Sequence, residues 1–224
     1  MKRSEINAII REGERFFAAR DFRLPVWASW GPERWRGMRA AADEIERAHL
    51  GWDITDFGSG NYRKRGLFLF TLRNGEPGSG GKTYAEKVMI VGDGQETPAH
   101  FHRAKMEDII NRGGGGLVLQ LWNSDEAGGL ATTAVEVRID GLLHRLPAGG
   151  SVRLGPGESI CLDRLLYHRF WGEGGEVLAG EVSMVNDDVS DNNFLEGVGR
   201  FPAIEEDEEP WRLLVSDYPT LITD

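Results

Sequence analysis

Cysteine is nearly missing from this 224-residue chain, in which Cys161 stands alone. A single thiol excludes an internal disulfide and suits a reducing compartment. Long apolar runs are missing as well. No stretch reaches the ~18 apolar residues that a membrane-crossing helix needs. The opening Met1-Lys2-Arg3-Ser4-Glu5 leads into an amphipathic pattern rather than an apolar signal core. The expectation is a cytoplasmic protein with no membrane partner. Positive charge is in deficit, with 26 Lys+Arg against 36 Asp+Glu and a net charge of −10. Affinity for nucleic acid rests on clustered Lys and Arg, so none is expected as a partner. The longest basic cluster, Arg63-Lys64-Arg65, reads as a solvated turn.

Glycine, by contrast, is abundant: 30 glycines and nine prolines exceed what a helix bundle tolerates and point to many turns. The length suits one domain, residues 1–224. Such a chain buries roughly 70–75% of its unfolded surface and needs no covalent staple.

Two helical patterns open the chain, over a segment placed at residues 1–53. Ser4 is positioned to cap a helix carrying Ile6, Ile9, Ile10, Phe16 and Phe17. Leu24-Pro25-Val26-Trp27 reads as an extended link. Gly31-Pro32 then starts a second helix through Trp35, Met38, Ala42 and Ile45, ended by Gly51. From residue 54 to about 200 the pattern alternates. Strands are expected at Phe68–Phe70, Tyr84–Val91, Leu117–Trp122, Val135–Ile139, Leu142–Leu146, Ser151–Leu154, Ser159–Leu162, Tyr167–Trp171 and Val177–Val185. Asp140-Gly141 supplies a hairpin turn. Glycine clusters at 78–81, 113–116, 128–129 and 149–150 separate the strands. The fold class is therefore mainly β, a barrel or sandwich rather than a parallel α/β sheet. The C-terminal segment, 201–224, contains the acidic run Glu205–Glu209, read as solvated surface.

The chemistry concentrates in Gly94–Glu107. His100 and His102 are two apart, so on a strand both imidazoles leave one face while Phe101 points the other way. Glu107 returns after four residues, enough for a bend to aim its carboxylate at the same point. Only five histidines exist, and His168 lies on a later strand able to face the pair. Three imidazoles and one carboxylate suit Mn, Fe, Co, Ni or Zn.

These residues carry a resemblance. Gly94, five residues, His100-x-His102, four residues, Glu107, six residues and Gly114 match the first cupin motif without a gap. Gly150, Pro156-Gly157 and His168 resemble the second, with a longer interval before the histidine. Over nearly the whole chain the sequence resembles the D-lyxose isomerases of cupin type. The residues that suggest it are Met1–Asn7, Thr97-Pro98-x-His100-Phe101-His102, Lys105-x-Glu107-Asp108-Ile109-Ile110-Asn111-Arg112, Gly180-Glu181-Val182-Ser183 and Val185-Asn186-Asp187-Asp188. The resemblance implies a cupin (double-stranded β-helix, jelly-roll) barrel behind N-terminal helices. It implies interconversion of D-lyxose with D-xylulose and of D-mannose with D-fructose, a preference for Mn²⁺, and a homodimer. The metal ligands it implies are His100, His102, Glu107 and His168.

Aldose–ketose isomerisation moves a proton between C2 and C1, which asks for a carboxylate base. Glu181, in the apolar strand Val177–Val182, is the candidate. Lys105, between the second histidine and Glu107, is the candidate for steadying negative charge on substrate oxygen. Lys87 shares parity with Ala85 and Met89 and can face inward. Asp187 and Arg200, after the last main strand, are candidates for holding distal sugar hydroxyls, together with Lys87, Lys105 and Glu107. His49 and His144 read as structural, and Trp122 and Trp171 as core fillers. Two other readings fit the same ligands: an iron-dependent oxygenase and a non-catalytic sugar-binding barrel.

Overall fold

The computed structural model describes residues 1–76, 78–188 and 190–221. Residues 222–224 of the expected C-terminal segment lie outside the described residues. Helix α1 (Arg3–Ala18) buries Ile6, Ile10, Phe16 and Phe17 along one face. Lys2, not Ser4, caps it: the Lys2 N–H donates to Glu5. Ser4 instead gives both its N–H and its hydroxyl to the Asp207 carboxylate. That carboxylate belongs to the acidic run, which is not merely solvated. Its Glu206 pairs with Arg3 at 2.7 Å, and Arg3, fully buried, also pairs with Asp217 at 2.9 Å.

The expected link does not stay extended, because Pro25 opens a 3-10 turn at Val26–Ser29. Helix α2 (Pro32–Met38) starts at the proline as expected. It stops short of Gly51. Gly37, a poor helix former, precedes a 3-10 turn at Arg39–Ala41, and α3 (Asp43–Arg47) follows. Among the described residues no helix is long and apolar enough to cross a membrane.

The rest is β structure: β1 (Gly51–Thr55), β2 (Leu67–Arg73), β3 (Tyr84–Val91), β4 (Glu96–His102), β5 (Glu107–Asn123), β6 (Val135–Ile139), β7 (Leu142–Leu146), β8 (Gly150–Leu154), β9 (Ser159–Leu162), β10 (Leu166–Met184) and β11 (Asn192–Phe194), before a last short turn of helix, α4 (Tyr218–Leu221). β1 begins before the expected boundary at 54. The main path runs β1-β2-β3-β10-β5-β9-β6-β7, with β4 on β10, β11 on β4 and β8 on β5. Asp140 and Gly141 take positive φ values of 48° and 83° in the β6–β7 turn, as a two-residue hairpin requires. The expected cupin barrel is what forms.

Alternation divides two cores. Leu67, Leu69, Met89, Val91, Ile109, Leu119 and Val177 face the barrel interior. Phe68, Phe70, Val88, Ile90 and Leu178 face outward, against Ile6, Ile10 and Phe17 of α1. The glycine cluster at 113–116 does not separate strands. It lies within β5, where β10 shifts register between Glu173 and Val177. A side chain at Gly114 (φ +100°) would put its Cβ 2.1 Å from the Glu176 carbonyl oxygen. Glycine here admits a bulge rather than a break. The two strands expected at 167–171 and 177–185 are, for the same reason, one strand, β10.

Candidate functional site

His100 and His102 leave the inner face of β4, and His168 on β10 stands opposite His100 in register. Phe101 points outward onto Tyr167, their rings 4.7 Å apart. One metal-binding nitrogen from each histidine lies within 4.8 Å of the others. A tight turn over Arg103–Met106 then brings Glu107 to the start of β5. Its Oε1 is 3.2 Å from His168 Nε2 and its Oε2 is 3.4 Å from His102 Nε2.

Hydrogen bonds decide which imidazole nitrogens carry lone pairs. His100 Nδ1 donates to the Pro98 carbonyl at 2.8 Å, and His168 Nδ1 to the Leu166 carbonyl at 3.0 Å. A carbonyl only accepts, so in each neutral ring Nε2 is left with a lone pair. In its neutral form His168 would thus set Nε2 against a carboxylate oxygen, acceptor against acceptor. His168 Nε2 is buried without a hydrogen-bond partner. Burial holds the His100 imidazole well below its usual pKa, aided by His168 and His102, and burial lowers His102 too. Three imidazoles, those of His100 and His102 kept neutral by burial, and an ionised carboxylate converging on one point are what a divalent cation needs, and the residues fit one.

Behind this group lies a second, charged one. Glu181 (β10) pairs across the sheet with Lys87 (β3). Lys87 Nζ is 3.2 Å and Lys105 Nζ 2.8 Å from the same Glu181 oxygen, Oε1. Lys105 Nζ also lies 2.7 Å from Glu107 Oε2, so one ammonium joins the two carboxylates. All four side chains are buried. Burial works against charge on Lys105, but Glu107 and Glu181 hold its pKa above the usual lysine range. Burial likewise pushes Glu107 up, and Lys105 and His102 outweigh it, holding the carboxyl well below its usual value.

The cavity bounded by these groups has an apolar side, including Phe57, Met89, Phe170 and Phe194, and a polar end at Asp188, Asn192 and Arg200. Arg200 pairs with Asp53 at 2.6 Å and with Asp188 at 3.5 Å. Burial opposes the Asp188 charge, yet Arg200, Lys87 and Lys105 drive its pKa far below the usual range.

Thus the structure brings His100, His102, Glu107, Lys105, Lys87, Glu181 and Arg200 to the lining of one cavity, with His168 held against His100 and Glu107. Asp187 is not among its lining residues. Its carboxylate accepts from the Ser190 N–H and hydroxyl, and its neighbour Asp188 faces inward instead. Trp122 and Trp171 do not fill the core. They are half-buried and flank the Arg169 guanidinium at 6.0 and 5.6 Å. His144 is exposed on β7, and His49 sits in a left-handed turn after α3. Sequence reading gave no site role to Asp53, Asn186, Phe57 or Phe194. Asp53 lies in a strand whose residues are all buried, where a carboxylate asks for a partner, so it carried a usable signal. The others lie beyond regular strands or at short ones, where parity gives no direction.

A sequence model of the D-lyxose isomerase family matches residues 1–218. The D-lyxose/D-mannose isomerase of Serratia proteamaculans is 50% identical over 223 residues, covering 97% of this chain and 98% of the relative. That of Escherichia coli O157:H7 is 49% identical over 223 residues, covering 97% and 98%. Among solved structures, L-ribose isomerase of Cellulomonas parahominis with L-psicose aligns at a TM-score of 0.51 and 18% identity, over 78% of this chain and 96% of that one. A mutant L-ribose isomerase of Acinetobacter sp. DL28 in complex with L-ribose aligns at 0.52 and 18% identity, over 78% and 96%. At such identity these structures speak for the fold, while the sequence matches speak for the family. With a cupin barrel converging its histidines and carboxylates on one cavity, and relatives alike over nearly their full length, this chain belongs to the D-lyxose isomerase family and is a sugar isomerase.

Proposed function

We propose that the protein interconverts D-lyxose and D-xylulose, and D-mannose and D-fructose, by a metal-dependent proton transfer through a cis-enediolate. The observation that carries this reading is the juxtaposition of Glu107 and three histidines with a second carboxylate, Glu181, held by two lysines. His100, His102, His168 and Glu107 would hold the cation, which we take to be Mn²⁺, with Zn, Co, Fe and Ni suited to the same donors. Bound there, a divalent cation supplies Lewis-acid polarisation of the sugar carbonyl.

The protein's own groups do the rest. Glu181 takes the proton from C2 of the open-chain aldose and returns it to C1, while the hydroxyl proton on O2 passes to O1 and the carbonyl moves from C1 to C2. Both lysines lie on Oε1, which leaves Oε2 to face the substrate. Lys105 and Lys87 offset the negative charge that grows on the sugar oxygens. Arg200, fixed by Asp53 and Asp188, is placed for a distal hydroxyl. The apolar side lined by Phe57 and Phe194 limits water around the reacting carbons.

We further propose a homodimer in the cytoplasm. The family resemblance and the lone Cys161 support this. So do Tyr84, Val182, Met184 and Met106, apolar residues exposed on adjoining segments of the outer sheet face.

The test is ketose formation from D-lyxose and D-mannose by chelated protein, before and after adding each metal. Turnover restored by Mn²⁺ and lost in His100→Ala supports the reading. A folded, metal-loaded sample that makes no ketose from either sugar contradicts it.

A further inference from the structure

Asn186, just past the end of β10, is the buried amide at the centre of the charged group. Its Oδ1 accepts from Lys87 Nζ at 2.5 Å and from Lys105 Nζ at 3.3 Å. Its Nδ2 donates to Asp188 Oδ2 at 2.8 Å. Turned over, the amide would set its NH₂ against two ammoniums and its oxygen against a carboxylate, so only one orientation satisfies all three partners. The backbone is pinned as tightly. The Asn186 N–H donates to Asn74 Oδ1 at 2.9 Å, and its carbonyl accepts from Asn74 Nδ2 at 3.0 Å. Asn74 Nδ2 donates in turn to the Ala48 carbonyl at 3.2 Å, tying the pair to the end of α3.

We propose that Asn186 is a positioning residue that fixes Lys87 and Lys105 on one oxygen of Glu181, and that links them through Asp188 to Arg200. The proposal rests on the reading of Glu181 as the base. Lys87 and Lys105 arrive from different elements, β3 and the turn before β5, on flexible stems that repel each other at their tips. Glu181 Oε1 alone cannot hold both rigidly. A neutral acceptor on the far side gives each ammonium a second fixed point without competing for it as a carboxylate would. Glu181 Oε1 is thereby occupied and Oε2 is presented in one direction. An acid in place of this amide would draw Lys87 away from Glu181 and repel Asp188, so the choice of amide follows from its neighbours.

Because Asn186 acts through the lysines, its loss should slow the proton transfer more than it weakens sugar or metal binding. The experiment uses Mn²⁺-loaded full-length protein and D-lyxose. It compares Asn186→Ala, Asn186→Asp, Lys87→Met, the double variant Asn186→Ala/Lys87→Met, and Glu181→Gln. For Asn186→Ala, kcat is expected to fall about tenfold to a hundredfold. Its KM and bound manganese should stay within about twofold of the parent. The double variant should be no slower than the slower single one, since both changes break the same arrangement.

Asn186→Asp preserves shape and gives the same kcat loss should the alanine variant fail to fold. A kcat within about twofold of the parent in both Asn186 variants overturns the proposal, as do losses that multiply in the double variant. Parental turnover in Glu181→Gln overturns the reading of the base and this proposal with it. Loss of turnover in Glu181→Gln beside unimpaired Asn186 variants overturns only the positioning role.

Discussion

Lys105 is the residue on which the site's electrostatics turn, because its ammonium is shared by Glu107 and Glu181 at 2.7 and 2.8 Å. Removing a buried charge strands its partners, at a cost of about 3–5 kcal/mol. In chelated protein, Lys105→Met should therefore lower the urea unfolding free energy by that order. Added Mn²⁺ should narrow the gap, because a cation among the histidines neutralises Glu107 in the lysine's place. An equal gap with and without metal would mean that Glu107 does not face the bound cation. At this scale the sequence was informative where spacing and geometry coincide. A two-residue period on a strand sends His100 and His102 to one face, and the same parity turns Lys87 and Glu181 inward. Their pairing across the sheet depends on register, which no single strand contains. Past Met184 parity ends, and there Asp188 lines the cavity while Asp187 accepts from Ser190.

Among the elements, β10 does most to assemble the site. Its first half carries His168 beside β4 and its second half carries Glu181 beside β3. The shift between those halves depends on Gly114, where a Cβ would meet the Glu176 carbonyl oxygen at 2.1 Å. Gly114→Ala should destabilise the protein by about 2–3 kcal/mol, since clash and left-handed backbone act together. Gly197→Ala, where no atom lies within 4 Å of the new Cβ, should change stability by less than about 0.5 kcal/mol. Urea midpoints compare the two, and equal midpoints would remove the bulge from the account. The alternation that marks strands was plain in the sequence, so the strands themselves were legible. Continuity through Gly113–Gly116 was not, because glycine marks turns far more often than the interior of a long strand.

Across the whole molecule, the first and last segments close on each other. Arg3 is buried between Glu206 and Asp217, some 200 positions away in sequence. That distance is why the acidic run read as solvent-facing: nothing local names its partner. The hydrogen bond from Arg3 holds the Glu206 carboxyl below its usual pKa. A carboxyl depressed by folding adds stability that is present above its unfolded pKa of about 4.3 and is lost as pH falls through the folded value. Glu206→Gln should thus cost up to about 1 kcal/mol at neutral pH, since Glu206 is half-exposed. The difference from the parent should vanish in acid below that folded value. A thermal-melt series against pH reads it, and a gap that persists in acid would assign the effect to packing.

The central claim is that His100, His102, His168 and Glu107 hold the metal on which turnover depends. Its most direct test is a Mn²⁺ titration of chelated protein, with bound metal and D-lyxose turnover followed in the same samples. Turnover should rise in proportion to bound manganese and saturate near one ion per chain. Full turnover before metal binds, or full binding that survives His100→Ala together with His168→Ala, would contradict it.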